Sequence, residues 1–280
     1  MSVSYDSAAD SGQPASPLSA SPDSVIGASA GEEMTSGTLL DGRIPYTQFR
    51  QGNRTGFEPV FMAAAVPARR GERVLEAGCG AGAGLLCLAS RISDLHGTGV
   101  EADAATAALA ERNIRDAATA GLNTAGLRIV QDDLLRPDSP LLSEPLWHHA
   151  FANPPWHPWE GTASEVPRRD LARRAPPDTV SGWVAALSRL VRERGTLTLA
   201  LPPARLGEAL AACAEHRLGS ACIFPLWPGS GREARIILVR ARAGGRGGVR
   251  LHAGLVLHDE AGGLSPAAER VLRGGEALQF

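Results

Sequence analysis

The chain contains no lysine: all 28 of its basic residues are arginine. Aromatic residues make up only 5% of it, and its four cysteines (Cys79, Cys87, Cys213 and Cys222) form no C-x-x-C pair. That spacing supports neither a metal site nor a disulfide framework. No apolar run approaches the roughly 20 residues needed to span a bilayer. The first 36 residues hold no base at all and are built mainly from Ser, Ala, Pro, Gly and Asp. Without a positive n-region and a long apolar stretch this is no secretory signal, and without arginine it is no transit peptide. Such a segment buries too little apolar surface to offset its ordering entropy. Residues 1–36 are therefore expected to be a disordered tail and residues 37–280 one domain. The same absences predict a cytoplasmic protein with no membrane partner.

Charge is uneven along the chain. The formal total is −2, but the tail holds five acids (Asp6, Asp10, Asp23, Glu32 and Glu33), so residues 34–280 carry +3. Arginine suits planar, bidentate contact with phosphate. Arg168, Arg169, Arg173 and Arg174 cluster downstream of the most distinctive motif, Asn153-Pro154-Pro155-Trp156. They read either as a solvated helix face or as a surface for nucleic acid. Position favours the second, because a substrate wider than one base must lie over this region if its base reaches Asn153.

The Asn-Pro-Pro-Trp motif ends a short apolar run, Ala150-Phe151-Ala152, that reads as a buried strand. Each proline fixes φ and lacks an N–H, and Pro154 pushes Asn153 away from the helical region. The result is a stiff corner presenting one amide side chain, one carbonyl without a ladder partner and one flat ring. That corner suits a planar group bearing NH2: oxygens for its hydrogens, a π face for its plane.

Upstream, Val74-Leu75-Glu76-Ala77-Gly78-Cys79-Gly80-Ala81-Gly82 runs from an apolar strand through alternating glycines into a helix. Glycines let a ligand touch the main chain, and the helix start offers free N–H groups. Glu101, 21 residues after Gly80, closes a second strand and is placed to accept both hydroxyls of a ribose. Gly78, Gly80 and Ala83 also satisfy the loose dinucleotide spacing, so NAD competes. Two acids argue otherwise. Glu76 stands where it can take an ammonium directly or through water, and a third strand, Leu127–Gln131, ends on Asp132-Asp133, acceptors for an adenine amino group. Acceptors for ammonium, ribose and adenine, in that order, spell S-adenosylmethionine.

On these motifs the chain resembles the class I S-adenosylmethionine-dependent methyltransferases whose catalytic motif is Asn/Asp-Pro-Pro-aromatic. More narrowly it is similar to the bacterial enzymes that methylate N6 of adenine 37 in a valine tRNA. The resemblance covers about Leu39 to Phe280. It includes the leading Gln51-Gly52-Asn53-Arg54-Thr55-Gly56-Phe57-Glu58 segment and the C-terminal Gly254-Leu255-Val256-Leu257-His258-Asp259 stretch. Two departures stand out: Trp156 replaces the commoner tyrosine or phenylalanine, and Asp132 stands where glycine is frequent. The resemblance implies an α/β, Rossmann-like, seven-stranded and mostly parallel sheet with an antiparallel last strand. It implies S-adenosyl-L-methionine as cofactor, held by Gly56, Glu76, Gly78, Gly80, Gly82, Glu101, Asp133 and Asn153, with Asp133 favoured over Asp132. It implies catalysis by Asn153, Pro154, Pro155 and Trp156, and a tRNA partner. A protein glutamine amide, an rRNA or DNA base, a hydride-transfer enzyme and a catalytically silent binder remain as rivals.

Hydrophobic spacing predicts helices at 58–66, 82–93, 103–120, 179–194 and 204–216. In the fourth, Trp183, Leu187, Leu190 and Val191 form a core stripe, which makes Trp183 a core residue rather than a cofactor contact. Strands are expected at 196–201, 221–224 and 235–239, followed by a flexible loop over 241–248.

Overall fold

The computed structural model describes residues 33–51, 54–155, 157–158, 174–175 and 179–280. Trp156, Arg168, Arg169 and Arg173 lie outside the described residues, as does most of the expected tail. Arg174 is placed through its backbone only, in the short pair β7 (His157–Pro158) and β8 (Arg174–Ala175).

A hairpin comes first, β1 (Met34–Leu39) against β2 (Ile44–Phe49). It starts three residues before the expected domain boundary at 37, because Met34, Thr35 and Ser36 pair with Phe49, Gln48 and Thr47. The central sheet then alternates with helices: α1 (Glu58–Ala65), β3 (Arg73–Ala77), α2 (Ala83–Arg91), β4 (His96–Glu101), α3 (Ala104–Thr119), β5 (Leu127–Gln131) and β6 (Trp147–Ala152). After β8 come α4 (Thr179–Ser188), β9 (Val191–Leu201), α5 (Leu206–Glu215), β10 (Leu218–Trp227) and β11 (Ile236–Ala243). The seven long strands run in the order β5-β4-β3-β6-β9-β11-β10. Only β11 is antiparallel to its neighbours. The expected seven-stranded sheet is present, and two short strands extend it to nine. These are β12 (Arg250–Leu251) and β13 (Leu255–Val256), which pair with the outer edge of β10 before α6 (Pro266–Leu272) closes the chain.

Parallel strands need both faces covered, and two apolar clusters do this. One lies beneath α1, α2 and the hairpin, the other beneath α4 and α5. Val180, Val184 and Leu187 of α4 are fully buried, each contributing roughly 1.5–3 kcal/mol. α3 is alanine-rich, favouring helix. Asp103 caps it by accepting from the Thr106 N–H at 2.9 Å.

The helix expected to run to residue 194 stops at Ser188. Leu190 turns to receive the Trp147 N–H at 2.9 Å, and Val191 opens β9 beside Trp147. Arg192-Glu193-Arg194 favour helix locally, but pairing of Val191 and Thr196–Leu199 with β6 on either side of them outweighs that preference and leaves the three in a register shift. Gly195 permits it: a side chain there would lie 2.5 Å from the His148 carbonyl. The expected loop at 241–248 is also shorter, since β11 runs to Ala243. Its glycines are fastened by Ser220, which accepts from the Gly247 N–H at 2.9 Å and donates its own N–H to the Gly247 carbonyl at 3.1 Å.

Candidate active site

Register decides what meets at the carboxyl edge of the sheet. Ala77 pairs with Val100 on one side and Ala152 on the other, and Glu101 pairs with Gln131. Gly78, Glu101 and Asn153 therefore stand at one level on adjacent strands, with Asp132 one residue beyond that level on the next strand, the strands being about 4.8 Å apart. Ligands of open parallel sheets bind at this edge.

The turn Gly78–Gly82 has its three glycines at φ 64°, 54° and 88°. Space around Gly80 is open: an added Cβ would meet nothing within 4 Å. At Gly78 it would meet the ring edge of Trp183 at 2.9 Å. Trp183 is thus more than a core residue. It packs on the apolar cluster beneath α4, but its length carries the ring to the glycine turn. Helical spacing marked its face correctly and gave no information on its reach.

The acids behave differently from one another. Glu76 is 2% exposed and turned under the turn, where Oε2 accepts the Leu85 N–H of α2 at 2.7 Å. It satisfies one of the free donors of a helix with no capping side chain of its own. Direct contact with a ligand ammonium, one of the two options read from sequence, does not fit this burial. Desolvation pushes its carboxyl up to about 8, against the lowering by the Leu85 N–H and with a further push from Glu101. Glu101 braces the turn, accepting from Gly80 N–H and Asp103 N–H at 3.0 Å each. Burial raises its pKa despite those two donors. Asp132 bonds the Ser139 hydroxyl, whereas exposed Asp133 uses one oxygen on the Leu135 N–H at 3.0 Å.

Asn153 is partly buried and Pro154 buried. Gly56 sits in the segment after β2, against the Glu58 carboxylate. That segment is held by Gln48 Oε1, which accepts the Thr55 N–H at 2.9 Å. Gln48 is 3% exposed and its Nε2 finds no partner among the described residues. An orphaned donor of this kind costs roughly 1–3 kcal/mol, and nothing in the sequence singles it out. Asn113, fully buried on α3, also escaped the sequence reading. Its amide accepts from the Thr47 N–H at 2.9 Å and donates to the Thr47 and Ala81 carbonyls at 2.8 and 2.9 Å. One side chain thereby ties the hairpin to the glycine turn.

A solved structure shares this architecture: a predicted O-methyltransferase, Atu636 from Agrobacterium tumefaciens, superposes with a TM-score of 0.64 over 79% of this chain and 97% of its own, at 23% identity. The fold is the one seen in that O-methyltransferase structure. In sequence, the methyltransferase-fold chain is similar to two curated proteins called tRNA1(Val) (adenine(37)-N6)-methyltransferase. That of Aeromonas salmonicida is 28% identical over 211 residues, covering 75% of this chain and 84% of the relative. That of Aeromonas hydrophila is also 28% identical, over 192 residues, covering 68% and 77%. No family profile matches the chain. Among the described residues, no helix is long and apolar enough to cross a membrane.

Proposed function

We propose that this protein transfers a methyl group from S-adenosylmethionine to the exocyclic N6 of an adenine in RNA, with adenine 37 of a tRNA as the favoured target. The observation that carries the reading is the shared level of Asn153 and the glycine turn at the carboxyl edge of the sheet, together with the similarity to the two Aeromonas proteins.

The residues present fit the cofactor. Open space over Gly80 admits a ligand to the main chain. In this reading Glu101 takes the ribose hydroxyls, and Asp133, the more exposed of the two aspartates, takes the adenine amino group. When bound, the cofactor supplies an electrophilic methyl on sulfur. The chain's own work is orientation. The target base leaves its stack, as base-modifying enzymes require. Asn153 Oδ1 and the Pro154 carbonyl accept its two amino hydrogens and aim the nitrogen lone pair. Trp156, by sequence, stacks on the ring, a contact worth roughly 1–3 kcal/mol. The methyl carbon would bond to N6 as its bond to sulfur broke, and N6 would then release one proton to water. The nitrogen becomes acidic only once methylated, so no strong base precedes transfer. Orientation and preorganised acceptors provide the catalysis.

The test is a choice of acceptors. Radiolabelled methyl transfer is expected to tRNA, and not to a peptide-release factor carrying a glutamine amide. Label in the release factor, or in neither, removes the RNA reading.

A further inference from the structure

At the opposite end of the same sheet, a cavity of about 880 Å³ opens where β9 begins and β11 ends. Five arginines line it, Arg194, Arg240, Arg242, Arg246 and Arg250, against one acid, Glu193. Arg194, Arg242 and Arg246 are exposed, and no ion pair among the described residues includes them. Two of the five are otherwise engaged. Arg240 donates to the Ala65 carbonyl at 2.9 Å and lies 4.1 Å over the Phe280 ring. Arg250 donates to the Cys222 sulfur at 3.0 Å. The Arg240 pKa is lowered, by burial first and also by Arg242 and Arg250, so these like charges stand close enough to repel.

The placement is built rather than loose. Arg242 is on β11, opposite Thr196 of β9. Arg246 rides on the glycine segment that Ser220 fastens. Unpaired guanidinium groups converging on one cavity gather an anion, and their planar forks match phosphate oxygens in pairs. The small glycine side allows a backbone to approach closely.

We propose that this cavity holds a phosphodiester of the RNA substrate's backbone, a second contact remote from the reacting base. This rests on the RNA reading given above. Along β9, the level of Asn153 and the level of Arg194 differ by on the order of 20 Å. An RNA engaging both ends therefore extends several nucleotides beyond the reacting base. The cavity contributes affinity for a whole tRNA and nothing to a single strand too short to span that distance.

The experiment compares the full-length chain with its Arg194→Ala/Arg242→Ala/Arg246→Ala variant, and with Arg242→Gln/Arg246→Gln should the triple variant melt early. Binding of tRNA is followed against salt, alongside S-adenosylmethionine affinity and melting temperature. The expected result is tRNA affinity lower by roughly tenfold in low salt and a salt slope shallower by about two units. Cofactor affinity and binding of a short adenine-containing single strand stay unchanged. Equal tRNA affinity and slope in native and variant proteins overturn the proposal. So does saturation of the cavity by inorganic phosphate that tRNA fails to displace, which makes it a small-anion site. Native protein that binds tRNA through these arginines but methylates something else keeps the cavity and removes only the functional reading. Native protein that binds no tRNA removes both.

Discussion

The two ends of the sheet are opposites in charge and in the way their polar groups are held. At the carboxyl edge, Glu76, Glu101 and Asp133 accept from main-chain N–H groups of the turns they support. At the amino edge beneath β9 and β11, exposed arginines face a cavity with a single acid. Carboxylates bound to backbone donors are fixed in place, as the chemistry of a small, oriented cofactor requires. Guanidinium groups on long stems suit a larger partner read by charge. The difference teaches that burial and partners, not residue type alone, separate the proposed reaction site from the proposed docking site.

The largest expected effect is at Asn153. Asn153→Ala should leave fold and cofactor affinity nearly intact while single-turnover methylation falls by two or more powers of ten, about the cost of one preorganised contact in a transition state. Asn153→Asp, which keeps an acceptor, should retain more activity than alanine. An alanine variant as active as the native protein would refute the role.

Asn113→Ala comes next. It strands the Thr47 N–H and the Thr47 and Ala81 carbonyls, so urea unfolding should report a loss of roughly 3 kcal/mol. A loss within error would mean the hairpin does not brace the glycine turn. Glu101→Ala should weaken S-adenosylmethionine binding by about 1.5–3 kcal/mol in calorimetry, the range for hydrogen bonds to a charged group. Unchanged affinity, or tighter binding of NAD by the native protein, contradicts the ribose assignment.

Glu76 makes a pH prediction. Its carboxyl is raised from 4.5 to about 8 by burial. Between those values the native state holds a proton that the unfolded state has released, so stability falls as pH rises through the window. The contribution is complete below about pH 4.5 and is lost by about pH 8. Melting temperatures of the native protein and Glu76→Gln should therefore diverge in pH profile, the glutamine variant being flatter. Superimposable profiles would show that Glu76 does not titrate there.

The smallest effect concerns the chain start. A protein beginning at Glu33 keeps all six hairpin pairings, whereas one beginning at Gly37 loses three. The shorter form should melt a few degrees lower, since about 1 kcal/mol shifts a domain of this size by about 2–4 °C. Equal melting would return the boundary to 37.

Much of the fold was legible because its signals are local. Glycines after β3, acids after β4 and β5, and prolines after β6 each mark a strand end, and the strand–helix alternation then places them on one edge. What sequence could not carry was non-local. Arg192 to Arg194 favour helix until β6 pairs with the residues on either side of them. Trp183 shows its face by spacing but not its reach to Gly78. Asn113 and Gln48 look like ordinary polar residues until the hairpin is folded over them. The arginines of the amino edge are scattered across β9, β11 and a glycine segment, so no window of sequence gathers them as it gathers Arg168 to Arg174.

The most direct test of the account is the identity of the product. Transfer RNA treated with the native protein and S-adenosylmethionine, then digested to nucleosides, should contain new N6-methyladenosine, absent when Asn153→Ala replaces the native chain. A methyl group on another atom or another base, or equal N6-methyladenosine from both proteins, would contradict it.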